Sequence, residues 1–213
     1  MTVLFEDETR KIERLTLGPW GTNAYLLVCN DTGESAVIDA PGEAAKLMAA
    51  LRGTEPRYLL LTHNHRDHTG ALVEVKQRLG IPLAAHPDDA GNLPVAPDIL
   101  LQDGERFMVG KLEVQVRHTP GHTPGSICLL TGPYLFSGDT LFPGGPGKTG
   151  SPDAFRQIVA SLETKIFVLP GGTKVYPGHG DDTVLEVEKE AYRKFAARKH
   201  DPGLCGDVLW DSA

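Results

Sequence analysis

Three imidazoles and a carboxylate crowd the six positions His63-Asn64-His65-Arg66-Asp67-His68, shortly after the apolar run Tyr58-Leu59-Leu60-Leu61. At this chain's own content of histidine and aspartate, the pattern His-x-His-x-Asp-His arises by chance on the order of once in a thousand sequences. It marks a metal site, and a metal site restricts the fold, because remote segments must end at one point in space to complete the ligand set. A chain leaving a strand still sets residues i and i+2 on one side, so His63 and His65 can converge on one ion. Asp67 and His68 follow after the backbone has turned and aim elsewhere. The apolar positions Leu72, Val75 and Leu79 predict a helix over 69–79. One segment can therefore feed two ions.

Three more segments place chemistry at a strand end. The turn Thr119-Pro120-Gly121-His122-Thr123-Pro124-Gly125-Ser126 follows the alternating run Leu112-Glu113-Val114-Gln115-Val116, and its two Pro-Gly pairs make a rigid turn around one histidine. The apolar stretch Tyr134-Leu135-Phe136 ends in Ser137-Gly138-Asp139, a single carboxylate. Lys174-Val175-Tyr176-Pro177-Gly178-His179-Gly180 repeats the plan with a histidine between glycines.

In this order and spacing the motifs resemble those of the metallo-β-lactamase superfamily over nearly the whole chain. That resemblance implies a four-layer αββα sandwich of the α/β (α+β) class, one domain over residues 1–213. It also implies two divalent metal ions, zinc first, with iron and manganese as alternatives. His63, His65 and His122 would hold one ion, and Asp67, His68 and His179 the other. Asp139 would bridge them, while the early strand-end Asp39 in Ile38-Asp39-Ala40-Pro41-Gly42 would support the site without being a ligand. The implied chemistry is hydrolysis by a hydroxide shared between the metals, with Asp67 and Asp139 as the catalytic carboxylates and Asp67 the candidate to accept or steer a proton.

Within the superfamily the chain looks most like glyoxalase II, the hydroxyacylglutathione hydrolases, through residues 63–68, the turn 119–125 and Gly138-Asp139-Thr140-Leu141-Phe142. The loop Gly144-Gly145-Pro146-Gly147-Lys148 resembles the one in which a basic residue touches glutathione, which makes Lys148 the substrate-binding candidate. Full-length glyoxalases continue into a helical substrate domain, whereas only Gly180 to Ala213 follow His179 here. The drug-hydrolysing branch commonly has cysteine where Asp139 stands, so the resemblance favours a thioester over a β-lactam. A mononuclear-iron persulfide dioxygenase and a lactonase are the enzymatic alternatives, and a non-catalytic metal-binding scaffold is a third.

Composition narrows the partners. A formal charge of -7, spread along the chain, argues against nucleic acid and for a small-molecule substrate, and a local metal charge would still admit an anionic one. The acidic start Met1-Thr2-Val3-Leu4-Phe5-Glu6-Asp7-Glu8 is not a secretory signal, and no apolar run is long enough to cross a membrane. Cys29, Cys128 and Cys205 form no close pair, which suits reduced thiols in a cytoplasmic protein, either monomer or homodimer.

Alternation predicts strands near 12–17, 23–29, 35–39, 57–62, 82–85, 105–109, 111–118, 126–130, 133–137 and 174–177. Helices are predicted over 44–51, 69–79 and 152–163, the last with Ser151 as N-cap and Pro152 in its first turn. Thr183-Val184-Leu185-Glu186 reads as a capping box opening a final helix that reaches Lys199, with Arg193, Lys194, Arg198 and Lys199 late, where they suit the helix dipole. His86 and His118 read as packing or supporting residues. Leu204, Leu209 and Trp210 read as a tail docking on the parent fold.

Overall fold

The computed structural model describes residues 1–212. A first sheet of seven strands runs in sequence order: β1 (Thr2–Glu6), β2 (Arg10–Leu17), β3 (Thr22–Cys29), β4 (Glu34–Ile38), β5 (Glu55–Leu60), β6 (Leu83–Ala85) and β7 (Ile99–Leu100). Its first four strands pair antiparallel, and the rest are parallel. Parallel pairing needs crossovers, which helices α1 (Ala44–Ala50) and α3 (Leu72–Leu79) supply; a single turn, α2 (Arg66–Thr69), precedes the latter. Strand β3, Thr-Asn-Ala-Tyr-Leu-Leu-Val-Cys, is buried at every position because it lies in mid-sheet with both faces covered.

The short helix α4 (Pro87–Ala90) lies in the crossover from β6 to β7, after which the second sheet is built from β8 (Arg106–Val109), β9 (Leu112–His118), β10 (Ile127–Thr131) and β11 (Tyr134–Gly138). A small separate hairpin, β12 (Leu141–Phe142) with β13 (Gly145–Pro146), leads to helix α5 (Pro152–Ser161). Strand β14 (Lys174–Pro177) then pairs parallel with β11, β15 (Thr183–Val184) closes the edge, and helix α6 (Leu185–Ala196) precedes the tail.

Three apolar clusters define four layers. Tyr25, Leu27, Ile38, Leu60, Val114, Val116, Leu129 and Phe136 fill the space between the sheets. Leu26, Val37, Leu47, Leu59, Leu72 and Val75 join the first sheet to α1 and α3. Leu135, Phe155, Ile158, Leu162, Leu185, Phe195 and Trp210 join the second sheet to α5, α6 and the tail. Each sheet therefore buries both faces, one on its partner sheet and one on helices, as the αββα expectation requires.

Four local expectations need correction. The helix expected over 69–79 is broken, because Ala40 N–H donates to His68 O and Ala71 N–H to Ala40 O, contacts that interrupt the helical ladder. A Cβ on Gly70 would lie 2.3 Å from Pro41 O, so glycine is required where the two loops press together. The capping box at Thr183 does not form: Thr183 and Val184 pair with Val175 and Lys174 as β15, and the helix starts at Leu185. The N–H groups of Leu185 and Glu186 instead donate to Thr173 O and Gly171 O, which satisfies the orphan donors without a side-chain cap. Helix α6 ends at Ala196, short of Lys199, and helix α5 passes at Leu162 into a π-helical turn that ends at Ile166.

The tail docks as predicted through Trp210, which has 0% exposure and packs on Phe195 and Tyr192 at ring-centroid distances of 4.9 and 5.2 Å. The backbone N–H of Trp210 donates to Gly144 O at 2.8 Å, and Thr149 pairs with Gly206, so the tail braces the hairpin loop. Leu209 stays exposed. Trp210→Ala is expected to destabilise the metal-free protein by about 3–5 kcal/mol, measured by urea unfolding, because it empties a fully packed site. Cys29 and Cys128 are buried free thiols, and Cys205 is an exposed one. No helix among the described residues is long and apolar enough to cross a membrane.

Candidate metal centre

The ends of β5, β11 and β14 and the turn between β9 and β10 meet at one edge of the sandwich. Backbone bonds across the two sheets hold them there: Ile127 N–H donates to Thr62 O at 2.9 Å and Asn23 N–H to Gly178 O at 2.7 Å. The segment after β5 delivers His63, His65, Asp67 and His68; the turn delivers His122; β11 delivers Asp139; β14 delivers His179.

All seven side chains converge. Ligand atoms of His63, His65 and His122 lie within 4.8 Å of one another, as do those of Asp67, His68 and His179. Asp139 lies between the two groups. Its Oδ1 is 3.3 Å from His68 Nε2, and its Oδ2 is 3.4 Å from His122 Nε2, 3.7 Å from His179 Nε2 and 3.9 Å from His63 Nε2. Asp67 Oδ2 is 2.9 Å from His179 Nε2. Lys148 stands apart at the rim, exposed, with its Nζ 3.8 Å from Asp207.

His63 Nε2, His68 Nε2, His122 Nε2 and Asp139 Oδ1 are buried and make no well-aligned hydrogen bond, although His68 Nε2 and Asp139 Oδ1 attract each other across 3.3 Å. Each such atom costs on the order of 1–3 kcal/mol if nothing satisfies it. Four of them facing one another, three imidazole nitrogens and a carboxylate oxygen, is a donor set that divalent cations satisfy and ordinary packing does not. The residues present therefore fit a metal pair.

The outer nitrogens of the imidazoles are already engaged. His122 Nδ1–H donates to Lys148 O at 2.8 Å, which leaves Nε2 as the inward lone pair. His63 Nδ1 meets Thr62 Oγ1 at 3.1 Å, and that hydroxyl donates to Asp39 Oδ2. Asp39 Oδ2 also holds His68 Nδ1 at 2.7 Å, while Oδ1 accepts from Thr62 N–H. Asp39 sits at φ 62, a left-handed conformation rare for a side-chain-bearing residue, and such strain collects where function holds the backbone. The supporting role predicted for Asp39 corresponds to these contacts.

The electrostatics divide the imidazoles. Burial, with the charges of His68 and His122, drives His63 well below its ordinary range and outweighs the attraction of Asp139, so it is neutral and ready to ligate. Burial and His122 likewise lower His65. Burial also acts to lower His68, but the Asp39 and Asp139 carboxylates overcome it and raise the group to about 10. Burial works against the Asp139 carboxylate, yet His68, His63 and His122 hold it well below the usual carboxylate range.

His86 and His118 lie outside this group. Their rings stack at 3.8 Å, His118 Nε2 donates to Pro124 O, and His86 Nδ1 accepts from Asp88 N–H as the N-cap of α4. Parallel stacked rings cannot both aim lone pairs at one ion, although Asp88 is near enough to complete a trio.

Close approach also explains one glycine. A Cβ on Gly178 would lie 2.2 Å from Asp139 Oδ1 and 2.6 Å from His68 Cε1, both buried. Gly178→Ala is expected to displace these two side chains and weaken metal binding at least about tenfold in chelator competition.

A family profile described as "Metallo-beta-lactamase superfamily" matches residues 17–179. The hydroxyacylglutathione hydrolase of Anaeromyxobacter dehalogenans is 36% identical over 162 residues, which cover 75% of this chain and 62% of that protein. The chain thus spans less than two thirds of that relative's length. The hydroxyacylglutathione hydrolase GloC of Haemophilus influenzae is 30% identical over 188 residues, 78% of this chain and 89% of that protein. Among solved structures, the BLEG-1 B3 metallo-beta-lactamase superposes with a TM-score of 0.77 at 31% identity, covering 84% of this chain and 96% of that one. TTHA1623 in a di-iron-bound form gives 0.72 at 35% identity, over 83% and 96% of the two chains. ETHE1 from Myxococcus xanthus gives 0.78 at 27% identity, over 88% and 85%.

Proposed function

The chain belongs to the metallo-beta-lactamase superfamily, and from that premise we propose that it is a binuclear metallohydrolase acting on a thioester of the hydroxyacyl-glutathione kind. The observation that carries the reading is the placement of Asp139, whose two oxygens lie 3.3 to 3.9 Å from four imidazoles drawn from both ligand groups. A carboxylate so placed would be shared if two cations were held there. His63, His65 and His122 would hold one and Asp67, His68 and His179 the other, with zinc the first candidate. Two such ions would supply the positive charge that lowers the pKa of a water and polarises a carbonyl oxygen.

The protein's own groups do the rest. Asp139 sets the spacing of the two ligand groups. Asp67, close to His179 and partly open to solvent, steers or accepts the proton of the attacking water. Lys148 stands at the rim because its own carbonyl is tied to His122, and from there its ammonium can meet an anionic arm of the thiol carrier. This reading needs no thiolate nucleophile, and burial pushes the thiol of Cys128, the cysteine beside Thr119 in the ligand-bearing turn, up to about 11.

The likeness to hydroxyacylglutathione hydrolases supports the thioester, whereas the neighbours named for a β-lactamase and for ETHE1 define the competing assays. The test is steady-state hydrolysis by protein loaded with measured metal, comparing a lactoyl-glutathione thioester with a lactone, a β-lactam, and oxygen uptake on a glutathione persulfide. Thioester turnover is expected to dominate and to vanish on chelation. Protein holding two ions per chain that leaves every thioester untouched would sink the proposal.

A further inference from the structure

Asp89 is almost fully buried in the short helix α4, with no cationic side chain in ion-pair contact among the described residues. A buried carboxylate is costly unless several donors satisfy it, so its partners are informative. They come from the two loops that carry the first ligand group. Oδ2 accepts from Asn64 N–H at 2.9 Å and from Thr123 Oγ1–H at 2.8 Å, and Oδ1 accepts from Gly125 N–H at 2.8 Å. Asn64 lies between His63 and His65, and Thr123 follows His122.

The surroundings are built around this carboxylate. A Cβ on Gly125 would lie 2.6 Å from Asp89 Cγ, so only glycine admits the side chain. Thr123 N–H donates to Ser126 Oγ, whose own hydroxyl meets Thr123 Oγ1 at 2.7 Å, leaving the threonine proton for Asp89. Every partner donates, which suits a carboxylate and not an amide. On its far side the turn rests on α5, where a Cβ on Gly121 would lie 2.5 Å from Ile158. The bond from Ile127 N–H to Thr62 O ties the strands behind the ligands; Asp89 ties the loops at the ligands themselves.

We infer that Asp89 is the positioning residue that sets His63 and His65 against His122, and so governs how tightly that group holds a cation. The inference rests on the reading that this group binds metal. The rings it positions stand 4.8 Å (His63 to His122) and 4.5 Å (His65 to His122) apart, close enough that a small slip of either loop would separate the three nitrogens. Its negative charge adds to the attraction.

The test titrates metal-stripped full-length protein with Zn2+ against a chromophoric chelator. Asp89→Asn is expected to weaken one of two ions by about 10–100-fold and the other by less than about threefold. In a His65→Ala background, where that ion is already lost, Asp89→Asn should add nothing. Glu13→Gln, which removes a buried carboxylate on β2, controls for general damage and should leave both affinities in place. Thr123→Val, which deletes one donor and keeps the charge, should weaken the same ion severalfold, and it decides the question if Asp89→Asn fails to fold. Unchanged affinities, or equal losses at both ions, would overturn the inference. Wild-type protein that binds no metal would instead defeat the underlying metal reading.

Discussion

Replacing Asp139 by alanine is expected to abolish retention of two ions per chain and to lower thioester turnover by more than about a hundredfold, beyond what loss of an outer-shell partner costs. The residue lies between both ligand groups, so on the proposed reading its removal would take a ligand from each. It also leaves His63, His68, His122 and His179 facing one another without the carboxylate that now lies among them. Asp139→Asn separates shape from charge, because it keeps the volume and one acceptor oxygen while removing the charge that two cations would share. Both variants should lose metal in mass-spectrometric stoichiometry. A metal-replete, fully active alanine variant would refute the bridging role.

Much of this centre could be read from sequence because each ligand candidate ends or follows a strand, and strands of alternating or continuous apolar residues announce themselves. His63 follows Tyr58-Leu59-Leu60-Leu61, Asp139 follows Tyr134-Leu135-Phe136, and His179 follows Val175-Tyr176, and these strand ends meet at one edge. What escaped is what depends on contacts distant in sequence. Asp89 gives no local signal, since an aspartate after His-Pro reads as helix-start chemistry until the loops it binds are folded beside it. The break at Gly70 comes from Pro41, and the lost capping box from a backbone edge at Gly171 and Thr173 that offers Leu185 and Glu186 better acceptors. The strained φ of Asp39 is invisible for the same reason: it follows from the need to reach Thr62 and His68 at once.

Metal affinity at the Asp67, His68 and His179 group should fall at least about tenfold for each pH unit of acidification between pH 8 and 6. The cause is His68. With its pKa raised to about 10 by Asp39 and Asp139 against the pull of burial, the ring is an imidazolium at neutral pH in metal-free protein, and a cation must displace its proton to use Nε2. His63 and His65, held low by burial, carry no such proton and should not add to the slope. Zinc added to lightly buffered protein at pH 7 should therefore release about one proton more with the ion that His68 would ligate than with the other, apart from any proton given up by a metal-held water. Stability of the metal-free protein should show the reverse trend. A folded-state pKa raised above the unfolded value of about 6.5 gives stabilisation that is complete below that value and is lost as pH rises through about 10. His63 acts with the opposite sign, since the unfolded chain takes up its proton first as pH falls through about 6.5. These two groups together place the metal-free optimum near pH 6.5, while saturating metal should shift the optimum to more alkaline pH. Thermal melts at pH 6, 7, 8 and 9 with and without zinc measure both curves; parallel curves would show that His68 is neutral in the metal-free protein and remove the proton competition.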